Sequence, residues 1–149
     1  MLRHLRFRLL MVLRALLSPT VMGVAAAVLG ADGKVLLVRH RFDPGWRLPG
    51  GGVNRGEPAQ AAILRELAEE VGLAGGAAQF FALYTRKVGW ATSVVAVYRV
   101  GGAEVNFRPN LEIREICFAD PHLPPPGCAP ATLRRLKELT GAAAISPYW

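Results

Sequence analysis

Residues 50–73 read GGGVNRGEPAQAAILRELAEEVGL, and this stretch decides the fold. It opens on Gly50-Gly51-Gly52 and ends at Gly72-Leu73, with a helical pattern between. Pro58 suits a first helical turn and Gly72 suits a stop, so a helix is predicted from about Pro58 to Val71. At about 100° per residue, Glu66, Glu69 and Glu70 share one arc. Ile63, Leu64, Leu67, Ala68 and Val71 lie roughly opposite, ready to pack on a sheet. The chain holds only 11 acidic residues, yet Glu57, Glu66, Glu69 and Glu70 fall within fourteen positions. A solvated charged face is the ordinary account of a Glu-rich helix. Here, however, carboxylates at i,i+4 repel and the helix holds no lysine to relieve them. Hard divalent cations take several carboxylate and carbonyl oxygens. A glycine-rich approach frees carbonyls and lets a phosphate come close. The stretch therefore points to Mg²⁺ or Mn²⁺ holding a phosphate chain.

Working outward, Val21 to Leu29 and Lys34 to Arg39 read as strands joined by Ala31-Asp32-Gly33, a hairpin signal. The loop Arg41 to Pro49 leads from them into the glycines. Beyond the helix, Gln79 to Lys87, Ala91 to Val100 and Ile113 to Ala119 read as strands. A last helix covers about Pro130 to Leu139, after the stiff connector Pro124-Pro125-Pro126-Gly127. Strands mixed with few helices predict an α/β (α+β) sandwich, a mixed sheet with helices on both faces.

The order of residues says more. Gly51, five residues, Glu57, seven residues, then Arg65-Glu66-Leu67-Ala68-Glu69-Glu70-Val71-Gly72-Leu73 resembles the Nudix box, G-x5-E-x7-REUxEExGU with U aliphatic, at every defined position. The flanking Trp46-Arg47-Leu48-Pro49 also looks like that superfamily, and the likeness extends over residues 21–139. It implies an α/β/α sandwich that hydrolyses a nucleoside diphosphate linked to another group, with Mg²⁺ or sometimes Mn²⁺. By position, the resemblance makes Glu66, Glu69 and Glu70 metal ligands together with the Gly51 carbonyl. Glu69 and Glu70 are the expected direct ligands, and Glu66 a ligand or the base that activates water. Arg65 would orient the glutamates, and Glu57 would brace the loop onto the helix. A carboxylate near a helix start also finds free N–H groups. Some members draw a further ligand or base from a loop near the last strand. Glu112 is preferred here over Glu115, which reads as an exposed strand position.

The substrate is less legible. The window 15–18 residues beyond the box, Val88-Gly89-Trp90-Ala91, carries neither the Pro of the ADP-ribose subgroup nor the Tyr of the dinucleoside-polyphosphate subgroup. Trp90 could stack on a base or equally pack in a core. Arg39 and Arg47, with Arg41, Arg86 and Lys87, are candidates for phosphate, and Tyr84 or Phe42 for flanking a base. A small nucleotide, an NTP, dNTP or nucleotide sugar, is the expected substrate. The alternatives are an RNA 5′ end, a membrane-bound diphosphate, or a sensing module without catalysis.

Charge narrows the partners. Lys plus Arg total 18, giving +7. Arg3, Arg6, Arg8 and Arg14 lie in the first twenty residues, which hold no acid; the rest carries +3. A generally basic surface for nucleic acid thus reduces to a basic N-terminal segment. Residues 1–18 are read as an amphipathic helix and 19–149 as the catalytic domain. Leu2, Leu5, Leu9, Val12, Leu13 and Leu16 recur on one helical face. That face suits its own domain, a homodimer mate, a membrane surface or RNA. A signal peptide is disfavoured, because cleavage after Ala25 to Ala27 would remove most of the first strand. With 52% hydrophobic residues the chain can bury one core. Cys117 and Cys128 exclude a disulfide framework or Cys-rich zinc site, and a cytoplasmic location is the default. A thiol mechanism would have to rely on His122 as base and is discounted.

Overall fold

In the computed structural model the described residues are 2–149, with side chains from Phe7 onward. The side chains of Leu2, Arg3, Leu5 and Arg6 lie outside the described residues. The order is α1 (Leu2–Leu17), β1 (Thr20–Val28), β2 (Val35–His40), β3 (Trp46–Arg47), α2 (Ala59–Val71), β4 (Leu73–Val88), β5 (Ala91–Val105), β6 (Ile113–Ala119) and α3 (Pro130–Leu139). The strands form two three-stranded sheets rather than one. In β1-β5-β4 the β1–β5 pair is parallel and β4–β5 antiparallel; β3-β2-β6 is antiparallel throughout.

Strand alternation builds the sandwich, since successive side chains point to opposite faces. Val24, Ala26 and Val28 of β1, Leu36 and Val38 of β2, and Ala96, Tyr98 and Val100 of β5 face α2 through Ile63, Leu67 and Val71. The intervening Ala25, Ala27, Val35, Leu37, Val95 and Val97 form a second core, closed by Leu136 of α3. Helices therefore cover both faces, as expected. Leu67 is fully buried in the first core. Leu67→Ala should cost about 2–5 kcal/mol, read as a lower urea midpoint, because the void is closed in by packed neighbours.

Three expectations need correction. β1 and β2 do not form a hairpin, although the turn is made: the Gly30 N–H donates to the Lys34 carbonyl at 2.9 Å. Only Leu29 and Val35 bridge the two strands. One edge of β1 is taken by β5 from Thr20↔Thr92 to Val28↔Val100. The other is taken by the glycine loop, through Val24 N–H to the Gly51 carbonyl and Ala26 N–H to the Pro49 carbonyl, both 2.9 Å. Next, β4 starts at Leu73 and β5 runs to Val105. Their antiparallel pairing, with one register shift between Phe80 and Ala82, runs through Gly75 and Gly101 beyond the expected Gln79 to Lys87 and Ala91 to Val100. Finally, Trp46 and Arg47 pair with Arg39 and Val38 as a short strand, where a loop was expected.

Beyond the second core, Arg135 is fully buried. Its guanidinium lies 3.8 Å from the Tyr84 ring centroid and 5.4 Å from that of Trp149. Glu138 pairs with it at 2.8 Å and accepts the Tyr84 hydroxyl at 2.6 Å. The charge is paired in the interior, with Nη2 on Glu138 and Nη1 on the Tyr148 carbonyl at 3.2 Å, while the buried Nε is left without a partner among the described residues. Arg135 also helps hold the C-terminal tail, whose Trp149 N–H donates to the Thr85 carbonyl at 3.0 Å.

Candidate active site

The glycine loop and α2 meet at the edge of β1. Gly50 has φ 144°, and a Cβ there would collide with the Val24 carbonyl. No other residue permits so close a backbone approach. Its N–H donates to Glu70 Oε2 at 2.8 Å. Gly51 serves differently: a Cβ on it would collide with the carboxylate of Glu66. At the far end of α2, Gly72 is left-handed (φ 64°) and its N–H caps the Ala68 and Leu67 carbonyls, as the predicted stop requires.

Arg65 organises the acids. It donates through Nε to Glu57 at 2.8 Å, through Nη1 to Glu66 at 2.8 Å, and through Nη2 to the Gly52 carbonyl at 2.9 Å. Glu69 is 3.7 Å away and exposed. The repulsion expected along this helix is therefore met by an arginine inside it. Glu57 also accepts the Asn54 N–H at 2.9 Å, so it braces the loop through Asn54 and Arg65 and not through the helix N-terminus. The Arg65 guanidinium, bonded to it, holds the Glu57 carboxyl down at about 2.

Glu70 is unlike the other two. It is only 3% exposed, on the core side of the helix, while the supposedly packed Ala68 faces solvent. Burial pushes its pKa up to about 7, and the Glu66, Glu112 and Glu69 charges add to the rise against the Gly50 hydrogen bond. Asn110 ties the opposing loop to this point. Its amide donates to the Glu70 carbonyl at 3.0 Å, and its Oδ1 accepts the N–H groups of Glu112 and Ile113 at 3.0 and 2.8 Å. That staple brings Glu112 to a hollow of about 420 Å³ with Glu66, Glu70, His40 and the three glycines. Glu115 points elsewhere, held by Arg114 and Arg39 at 3.0 and 2.6 Å.

The adjoining cleft, about 430 Å³, runs from Gly50-Gly51-Gly52 past Arg47 and Arg86 to Thr132 and Trp149. Arg47 lies in it, paired with Asp43 at 2.7 Å. Arg39 does not line it; the guanidinium stacks 4.3 Å from the Trp46 ring centroid and closes a neighbouring cavity. Trp90 is neither core nor cleft. It stands 89% exposed at the β4–β5 turn. Sequence reasoning missed His40, whose Nε2 lies 3.9 Å from Glu70, together with Asn110 and Trp149. Only the placement of distant segments reveals those three.

The donor set suits a hard divalent cation: carboxylates, a carbonyl-rich loop and no thiolate. The Glu66, Glu112 and Glu69 charges all bear on the buried Glu70, which has no arginine or lysine partner of its own among the described ion pairs. Among the described residues no three potential ligands yet converge, since Arg65 draws Glu66 and Glu69 toward itself. The Gly51 carbonyl already accepts Val24 N–H and keeps one lone pair. Among the described hydrogen bonds, the neighbouring Gly50 carbonyl accepts none, which makes it a second oxygen to consider.

Comparison with known proteins agrees with this geometry. The NUDIX domain family model matches residues 19–140. An RNA pyrophosphohydrolase of Sodalis glossinidius is 46% identical over 50 residues, 34% of this chain and 29% of that protein. A provisionally named 8-oxo-dGTP diphosphatase of Bacillus subtilis is 38% identical over 64 residues, 43% of each. The matched part thus spans less than half the length of either relative. The crystal structure of a MutT NUDIX hydrolase from Burkholderia pseudomallei superposes with a TM-score of 0.71 at 25% identity, covering 80% of this chain and 98% of that one. With the box, the sandwich and the carboxylate cluster in agreement with a match over most of its length, the chain belongs to the Nudix hydrolase family.

Proposed function

We propose that the cleft hydrolyses a phosphoanhydride bond in a nucleoside diphosphate derivative, such as an NTP, dNTP or nucleotide sugar. The observation that carries this reading is the buried Glu70 carboxyl, held on Gly50 and pressed by Glu66, Glu112 and Glu69. Such a cluster asks for positive charge. Glu66, Glu69 and Glu70 would hold Mg²⁺ or Mn²⁺ with a Gly50 or Gly51 carbonyl. A bound cation would offset phosphate charge and lower the pKa of water. Glu66 or Glu112 would accept the proton of the attacking water, each within the hollow that the glycines wall. Arg65 keeps Glu66 and Glu69 in place and Glu57 keeps Arg65 in place. Arg47 and Arg86 would meet the phosphate chain, and Trp149 offers a ring for a base at the far end of the cleft. Cys117 and Cys128 are free, in keeping with a cytoplasmic location.

The relatives' names include RNA pyrophosphohydrolase, so the 5′-triphosphate end of RNA belongs among the substrates tried. A panel of nucleotides and 5′-triphosphorylated RNA, with Mg²⁺, Mn²⁺ or chelator and products identified by ³¹P NMR, tests the proposal. Cation-dependent release of phosphate, pyrophosphate or two phosphorylated products is expected. Binding of nucleotides without turnover of any panel member would favour a sensing module instead.

A further inference from the structure

α1 stands off the sandwich. Every residue from Phe7 to Leu17 is exposed, among them Leu9, Val12, Leu13 and Leu16. At about 100° per residue these four form one unbroken apolar arc, with Arg8 on one flank and Arg14 well outside it. An isolated helix of this length in water is marginal, so a surface that covers its apolar arc is what holds it helical.

The β4–β5 turn supplies a second, separate observation. Thr92 N–H donates to the Pro19 carbonyl at 3.0 Å, so the turn lies beside the C-terminal end of α1. Trp90 projects from that turn almost entirely into solvent, next to the exposed Val88, Lys87 and Arg86. Val21, at the start of β1 between helix and turn, is exposed as well. Helix and turn thus form one end of the molecule, apolar and basic, without an acid in the first twenty residues.

The geometry points to an anionic bilayer surface as the partner of this end. Leucines on one arc with Arg8 at its border and Arg14 on the far side, and a tryptophan beside basic residues, suit the boundary between headgroups and acyl chains. RNA would neutralise the arginines but leave the leucines in water. A second copy would cover the leucines but offer the arginines no counter-charge, since the first twenty residues hold no acid. The helix is about 24 Å long, short of the roughly 30 Å hydrocarbon core, so it lies in the surface plane. No helix of the described residues is long and apolar enough to cross a membrane. The cleft shares Val21, Arg86 and Ser93 with this end, so it opens beside the docked surface.

Co-sedimentation of the full chain with vesicles tests this independently of turnover. Phosphatidylcholine alone is compared with phosphatidylcholine containing about 30% phosphatidylglycerol, at low and high salt. Partitioning at least ~10-fold stronger on the anionic vesicles, and weakened by salt, is expected. The Leu9→Glu/Leu16→Glu double variant should lose that binding while soluble-nucleotide activity and the circular dichroism of the sandwich persist. Tryptophan emission should shift to the blue on the vesicles, and Trp90→Phe should remove the shift, since Trp46 is buried and the half-buried Trp149 is packed edge-on against Tyr84. Equal binding to both vesicles, or none, overturns the proposal. So does a dimer in sedimentation equilibrium that the double substitution disperses, or RNA binding through α1 without vesicle binding.

Discussion

Glu70→Gln will abolish hydrolysis, by about 1,000-fold or more in kcat/KM, and will raise the melting temperature of the cation-free protein. The two effects have one cause. Burial and three neighbouring carboxylates disfavour the charged form of Glu70, whose pKa rises to about 7 from an ordinary 4.5. An acid raised in the fold contributes its stability fully below its unfolded value. That contribution is lost as pH rises from about 4.5 to about 7, and above that range the loss is complete. Without a cation the native protein should therefore be less stable at pH 8 than at pH 5. Glutamine can still accept the Gly50 N–H but carries no charge. It should restore on the order of 2 kcal/mol at pH 8 and flatten the pH dependence of unfolding. Thermal melts in chelator at both pH values check this. An unchanged melting temperature together with full turnover would remove Glu70 from the site.

Adjacent glycines should separate fold from chemistry. Gly50→Ala should destabilise the protein by about 3 kcal/mol, because its Cβ would meet the β1 backbone in a conformation foreign to alanine. Gly51→Ala meets only the end of a side chain, the Glu66 carboxylate. That carboxylate can swing away, so stability should change by less than about 1 kcal/mol. Activity should fall about 100-fold, because a displaced Glu66 no longer faces the hollow. Urea titration and initial rates of the two variants read the contrast. Full activity in Gly51→Ala would mean that Glu66 is not needed where it lies.

Much of α2 was legible because its signals are local. Pro58, the 3.6-residue apolar period and Gly72 lie within one segment, and the structure places the helix within a residue of where they put it. The β1–β2 hairpin failed for the opposite reason. Ala31-Asp32-Gly33 encodes a turn, but the partners of β1 are β5 and the glycine loop, and turn chemistry carries no information about them. Within the candidate site, the box singles out Glu66, Glu69 and Glu70 but says nothing of their differing environments. Glu70 is buried and Glu69 exposed one residue apart, since about 100° of helix turns Glu70 onto the Gly50 N–H and Glu69 away from it. The buried Arg135 was hidden by its polar helical context, since the residues that satisfy it include Tyr84 and Trp149, far away in sequence. Asn110 was passed over likewise, as one loop residue among several, until its two hydrogen-bonding ends were seen to join α2 to Glu112.

The central claim is that Glu66, Glu69 and Glu70 together hold the divalent cation on which hydrolysis depends. Electron paramagnetic resonance of Mn²⁺ titrated into the wild-type protein and Glu70→Gln tests it most directly. The account predicts saturable Mn²⁺ binding that Mg²⁺ displaces, with affinity increasing from pH 6 to pH 8 as Glu70 gives up its proton. It also predicts that the folded Glu70→Gln protein loses this binding by about 10-fold or more. Undiminished Mn²⁺ affinity in that variant would contradict it.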